Sequence, residues 1–281
     1  MAYSFASFLF SEPDEDGILS LCAVGTNDRY NPVTAQELKD QSLYQHIQSV
    51  ELLGSTQAEG NCILFANDDF TGPFVQLTDA HTAGAIHWDI ANSKTSSVLL
   101  VAARKKGQQE TRLSFSGLFL DQWNTFLDAQ LAGTQVSREG NPTLTWAMFP
   151  ENIPNLDSTQ TYLKIYQPLH VSIDYWPDYS ASLTYYVFVA AWFGGLFCVG
   201  MYADTWVEGG AKHDKVFRKL DPEVQNGLNA LEDQMNQEFL ALNKTTTITD
   251  VYYLPGSQPN DPFVGATNGN TNDDVTIVIV H

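Results

Sequence analysis

Phe65-Ala66-Asn67-Asp68-Asp69-Phe70-Thr71-Gly72 is the stretch on which the fold turns. Two aromatics five positions apart, with glycine two residues after the second, predict a folded-over β-hairpin. In such a hairpin the first ring packs inside the fold. The glycine takes a backbone conformation that a Cβ would resist. Twenty residues past Gly72 begins Asn92-Ser93-Lys94-Thr95-Ser96-Ser97-Val98, which runs into the apolar strand Leu99-Leu100-Val101.

Around this pair of segments, residues 1–103 carry further β signals, short apolar runs separated by Gly, Asn, Asp and Pro. The runs predict strands at Tyr3–Phe10, Ile18–Val24, Gln48–Leu53, Asn61–Phe65, Phe74–Leu77 and Ser97–Ala102. The opening MAYSFASFLFSEPDEDG has no basic residue ahead of its apolar ones, and Ser4 and Ser7 interrupt it. It reads as a first strand rather than a secretory signal.

These features resemble the βγ-crystallin superfamily, whose domain packs two Greek-key motifs as a β-sandwich. The second motif, about Asn61 to Ala102, matches at Phe65, Phe70, Gly72 and Ser97. The first is degenerate: Tyr30 takes the place of the second aromatic, Gly25 that of the first, and Pro32 that of the glycine. Its closing strand, Gln48-Ser49-Val50-Glu51-Leu52, keeps the pattern.

The resemblance implies a calcium-site pattern of two Asn/Asp residues, two variable positions, Ser or Thr, then Ser. Here Asn92, Ser96 and Ser97 are kept, but Ser93 replaces the second Asn/Asp. The first motif, Tyr44-Gln45-His46-Ile47-Gln48-Ser49, has lost nearly all of it. A neutral hydroxyl in place of a carboxylate removes the charge that a hard cation favours. The expectation is weak calcium binding or none, with no other cofactor.

Length and charge bound the rest. A chain of 281 residues predicts two domains, each with its own core. Net charge −19 argues against nucleic-acid phosphate as a partner and favours solubility at high concentration. Cys22, Cys62 and Cys198 form no CxxC and no even disulfide framework, which suits a reducing, cytoplasmic setting.

Arg104-Lys105-Lys106-Gly107-Gln108-Gln109 reads as part of a linker at 104–110. An α+β domain is then expected over 111–281. Phe115, Leu118, Phe119, Trp123, Phe126, Leu127 and Leu131 follow three-four spacing, and Gly133 stands where that helix would stop. Residues 133–161 read as an Asn-, Pro- and Gly-rich loop, followed by strands at Tyr162–Ile173, Leu183–Phe193 and Leu196–Val207. A second helix is expected to start with Asp221 as N-cap and Pro222 at its first position. Val224, Leu228, Leu231, Met235, Phe239 and Leu242 mark its apolar face. Strands at Thr246–Tyr253 and Val275–Val280 close the chain around a loop at 255–274.

The sequence contains no GxSxG elbow, P-loop, GxGxxG or HExxH. His81, His87 and Asp89 lack metal spacing, and the six histidines are scattered. Asn268-Gly269-Asn270-Thr271-Asn272-Asp273-Asp274 starts like a calcium loop but lacks glycine at its sixth position, and Ile279 stands where the bidentate Glu belongs. Asp174, Tyr175, Trp176, Asp178 and Tyr179 cluster beside Pro177, where buried aromatics at a strand corner or a sugar-stacking surface are the two readings.

Tyr185–Ala203 is nineteen residues without a charge, but Gly194-Gly195 breaks it and β-formers fill its first half. A hairpin buried on both faces is the expectation, so no membrane partner is expected. The chain is thus expected to be non-enzymatic, with a structural, storage or stress-protective role. The crystallin resemblance extends to proteins abundant in fungal fruiting tissue. The alternatives are a defence protein or membrane-active toxin with a crystallin module, and a carbohydrate-binding protein. Homo-oligomerisation is compatible with the sequence, which names no ligand for the second domain.

Overall fold

The computed structural model describes residues 5–12, 17, 19–24, 29–54, 58–79, 84–89, 94–105, 107–172, 178–210, 213–256 and 274–281. The chain is mostly β, with several antiparallel sheets. It divides into two compact units whose main boundary falls between Glu110 and Thr111.

In the first unit the elements in chain order are β1 (Phe5–Phe10), β2 (Leu19–Val24), β3 (Tyr30–Val33), α1 (Ala35–Asp40), β4 (Ser49–Gly54), β5 (Ala58–Phe65), β6 (Phe74–Asp79), β7 (Gly84–Asp89) and β8 (Ser97–Lys105). They form two sheets, β2-β1-β4-β7 and β3-β8-β5-β6, antiparallel throughout. The third strand of each half crosses to the other half's sheet: β3 pairs with β8, and β7 with β4. Neither half can therefore complete a sheet alone.

Alternation sets which residues face inward. In β2, Ser20, Cys22 and Val24 are buried while Leu19 and Leu21 are exposed. Leu9, Val50 and Leu52 of one sheet join Cys62, Leu64, Leu77, Val98 and Leu100 of the other in one core. Three elements escape the strand signals: β3, α1 and β7. β3 carries Pro32, which suits an edge strand because it lacks an N–H. α1 is announced by Thr34 and Glu37, a reciprocal capping box in which Thr34 Oγ1 accepts from the Glu37 N–H.

The second unit begins with β9 (Glu110–Ser114), only a short turn after β8, where the sequence suggests a linker. In that turn the Gln108 N–H donates to the Lys105 carbonyl at 3.1 Å, and Gly107 has φ +91°. Helix α2 (Phe115–Leu131) follows, with the expected bounds. Phe115, Phe119, Trp123, Leu127 and Leu131 are its buried stripe.

The stretch expected as a loop over 133–161 instead holds two short strands, β10 (Val136–Arg138) and β11 (Thr143–Met148). Both pair with one edge of β12 (Thr161–Val171). Gly140 (φ +77°) turns the chain between them, and Leu144 and Trp146 are buried in alternation. Asn, Pro and Gly mark the turn, while the strands are too short for their periodicity to stand out. β13 (Tyr179–Trp192) and β14 (Gly195–Val207) continue the sheet in the order β10-β12-β13-β14.

α3 (His213–Thr245) begins eight residues before the expected N-cap and runs through Pro222. An internal proline costs about 3 kcal/mol. The two extra turns bury Val216 and Leu220 on the stripe that continues through Val224, Leu228, Leu231, Met235 and Phe239. Burying two such side chains contributes roughly 3–6 kcal/mol, which outweighs the proline. β15 (Asp250–Pro255), β16 (Val275–Val280) and β9 form a three-stranded sheet in the order β15-β16-β9.

β14 is an edge strand, and α3 supplies what a further strand would have supplied. Asn236 Oδ1 accepts from the Cys198 N–H at 2.9 Å, and its Nδ2 donates to the Cys198 carbonyl at 2.9 Å. Asn243 brackets Leu196 in the same way, at 2.7 and 2.9 Å. Glu232 Oε2 accepts from the Gly200 N–H at 2.7 Å. Two residues of strand rise about 6.7 Å and four of helix about 6 Å, so Gly200 and Cys198 meet Glu232 and Asn236 on successive turns, while Leu196 meets Asn243 two turns further along. We expect Asn236→Ala to strip both partners from Cys198 and destabilise the second unit by about 2 kcal/mol. Urea unfolding followed by far-UV circular dichroism measures it, with Gln237→Ala, a change at the exposed neighbouring position, as control.

Candidate functional site

The signature hairpin folds as the sequence implies. Phe65 is fully buried at the end of β5, and Phe70 meets it edge-on with ring centroids 6.2 Å apart. Gly72 has φ +77°, and a Cβ there would lie 2.6 Å from Asn67 Nδ2. Ser97, fully buried, donates its hydroxyl to the Asn67 carbonyl at 2.7 Å and accepts from the Phe70 N–H at 3.3 Å. The Ser96 N–H donates to the Phe65 carbonyl at 2.8 Å.

The first half repeats this construction. Ser49 donates to the Glu12 carbonyl at 2.7 Å, and the Gln48 N–H to the Phe10 carbonyl at 2.9 Å. Gly17, seven residues after Phe10 as Gly72 is after Phe65, has φ +81°. The inner aromatic of the first half is therefore Phe10, and Glu15 occupies the sequence position of Phe70. This corrects the placement at Gly25, Tyr30 and Pro32: Tyr30 and Pro32 lie in β3, and Gly25 is outside the described residues. The hairpin needs an inner ring and a left-handed glycine; searching for the outer ring displaced the alignment.

Of the degenerate calcium motif, Asn92 and Ser93 lie outside the described residues. The described part spends its oxygens within the protein. The Thr95 carbonyl accepts from the Gln45 N–H at 2.8 Å, with Gln45 itself at φ +58°. Gln45 Nε2 stands 3.5 Å from Ser96 Oγ as a donor. Calcium takes six to eight oxygen ligands, and the Thr95 carbonyl is already engaged by a backbone donor. Beside it, Tyr44 donates to Asp68 Oδ1 at 2.9 Å, and Lys39 Nζ lies 3.8 Å from Asp68 Oδ2. Among the described residues no group of three His, Cys, Asp or Glu is placed to hold a metal.

The remaining candidates separate. His81 and Asn268–Asp273 lie outside the described residues, as do the side chains of His87 and Asp89. Asp274, the last of that acidic loop, is buried and fully used: Ser114 Oγ and Ser116 Oγ each donate to it at 2.6 Å, and the Ser116 and Val275 N–H groups at 2.9 and 2.8 Å. It thereby fixes the N-terminus of α2, where Ser114 is the N-cap. Asp174, Tyr175, Trp176 and Pro177 are outside the described residues. Asp178 pairs with His170 Nε2 at 3.2 Å, while Tyr179 is buried.

The uncharged hairpin β13–β14 is not buried on both faces. Tyr185, Val187, Val189, Leu196 and Cys198 turn inward, whereas Trp192, Phe197 and Val199 are exposed on the opposite face. Further along that face Tyr186 and Tyr202 stack at 6.2 Å; burial and then Asp204 push the Tyr186 hydroxyl pKa up. A shallow cleft of about 490 Å³ between α2 and α3 is lined by Asp121, Gln122, Phe126 and Gln234.

The chain matches no protein-family model, no curated protein and no solved structure.

Two outcomes follow from this geometry. Gly72→Ala forces an L side chain into the left-handed region, at a cost of about 1–2 kcal/mol before the Asn67 contact is counted. Ser97→Ala and Ser49→Ala should each cost about 1–3 kcal/mol in the first unit, because each orphans a folded-hairpin carbonyl. Thermal unfolding of the three variants tests both, and a neutral Ser49→Ala would show that the first-half lock carries no weight.

The thiols give a pH signature. Burial pushes Cys62 from 9.0 up to about 12, despite the Ser7 hydroxyl 3.7 Å from its sulfur, and raises Cys22 and Cys198 as well. The unfolded chain therefore loses these protons first. Stability from the neutral thiol is full below pH 9 and declines as pH rises from 9 toward 12. At pH 8 a thiol-specific dye should label none of the three cysteines of the native protein, and all three in denaturant.

Proposed function

We propose that this is a non-enzymatic protein with a structural, storage or stress-protective role, built on a βγ-crystallin-type pair of Greek keys without a working calcium site. The observation that carries the reading is the exchange of third strands between two four-stranded sheets, with the same serine-to-carbonyl lock in each half. Such an interlocked pair unfolds as one body, because each sheet needs a strand from the other half. The net charge of −19 supports accumulation without self-association, since like-charged molecules repel. The resemblance to proteins abundant in fungal fruiting tissue accords with that role.

The carbohydrate-binding alternative loses Tyr179, which is packed inside rather than offered to a sugar. The membrane-active alternative has one observation in its favour, the exposed aromatic tip of the β13–β14 hairpin.

Thermal unfolding of the full chain with millimolar calcium and with chelator tests the calcium-free scaffold. Equal midpoints are expected. A ligand present at 100 times its Kd stabilises by about 2.7 kcal/mol, so a rise of several degrees with calcium would overturn that part of the reading. A first unit that melts near room temperature would overturn the protective role.

A further inference from the structure

Trp192 and Phe193 stand at the turn of the β13–β14 hairpin with their rings stacked, centroids 5.1 Å apart. Trp192 is 63% exposed and Phe193 93%. The turn has two residues between the paired Trp192 and Gly195, and both have positive φ: +49° at Phe193 and +79° at Gly194. A two-residue turn of this kind favours Asn followed by Gly, because Asn tolerates the left-handed region and phenylalanine does not. The fold thus carries two costs at one residue, a strained backbone and an apolar ring in water, and receives only the stack on Trp192 in return.

The tip is nevertheless held rigid. The Gly194 carbonyl accepts from the Ile248 N–H at 2.8 Å, and Asn243 clamps both main-chain groups of Leu196. Exposed Phe197 and Val199 extend the apolar surface along the same sheet face, and Leu240 of α3 is also exposed. A presented, pre-organised aromatic pair is the arrangement that a binding contact uses.

Charge and hydrogen bonding select the occupant. Residues 185–203 hold no charge, so the hairpin itself offers no ionic contact. At net −19, two copies of the chain repel, as do the chain and an anionic lipid surface. A sugar needs several polar partners beside the ring; the Asn243 amide and the Gly194 carbonyl are already engaged, which leaves Thr247 as the hydroxyl next to Gly194. A neutral lipid interface needs none of these and is where Trp and other aromatics settle.

We propose that the Trp192–Phe193 tip is a docking point for a zwitterionic lipid surface, with the aromatic pair entering the headgroup zone while the rest of the chain stays in water. The proposal gives the membrane alternative its lipid class and is independent of the crystallin-type reading, which calcium and unfolding measurements test separately.

The test is flotation of the full chain with phosphatidylcholine vesicles, compared with vesicles containing phosphatidylserine. Expected are partition to phosphatidylcholine, weaker partition to phosphatidylserine at low salt, and at least a tenfold loss for Phe193→Asn. Phe193→Asn should also raise the unfolding midpoint by about 2 °C, because it relieves the turn. That combination, more stable and no longer binding, separates docking from a folding defect. No flotation of the wild type, undiminished flotation of Phe193→Asn, or a dimer in sedimentation that Phe193→Asn abolishes would each overturn the proposal.

Discussion

Two buried hydroxyls, Ser49 and Ser97, hold the first unit in its folded form. Once a hairpin folds over its own sheet, its turn carbonyl leaves the ladder and faces the interior, where an unpaired acceptor costs about 1–3 kcal/mol. Ser97 supplies the partner for Asn67, and Ser49 the partner for Glu12, at the same distance of 2.7 Å. The packing of Phe65 under Phe70, the left-handed Gly72 and the start of β8 all presuppose that bond. The exchange of third strands then makes the two locks depend on each other through the common core.

The second unit meets the same constraint with different residues. The free edge of β14 is closed by side chains of α3 rather than by a strand, which also blunts it as a template for aggregation. Asn is suited to the task because its amide matches both an N–H and a C=O of one residue. Glycines allow the close approach: a Cβ on Gly200 would come within 2.8 Å of Leu228 Cγ, and one on Gly227 within 2.6 Å of the Tyr185 hydroxyl. The helix therefore lies where its amides can reach because small residues stand at both contact points.

The sequence made the signature hairpin legible because its constraint is local: an inner ring, a turn and a left-handed glycine within eight residues. α2 was equally legible, since its stripe of Phe115 to Leu131 is continuous and its bounds coincide with those in the fold. The start of α3 was not, because Pro222 is a strong local signal and the burial of Val216 and Leu220 that overrides it is tertiary. β10 and β11 were hidden for a similar reason: their pairing with β12 is a property of the sheet, not of their composition. At the calcium-like loop the sequence revealed the lost Asn/Asp at Ser93. It gave no hint that the Gln45 N–H would engage the Thr95 carbonyl, which required the two halves to be brought together.

The contrast between two phenylalanines separates folding from function in this chain. Phe70 and Phe193 both sit in the left-handed region, at φ +61° and +49°. At Phe70 the strain is offset, because the ring is buried against Phe65 and its N–H is held by Ser97. At Phe193 neither compensation exists; the ring touches Trp192 and otherwise faces water. A strained residue that stabilises nothing within the fold is the observation from which the docking proposal starts. The same conformation is thus buried and bonded in one unit and exposed in the other.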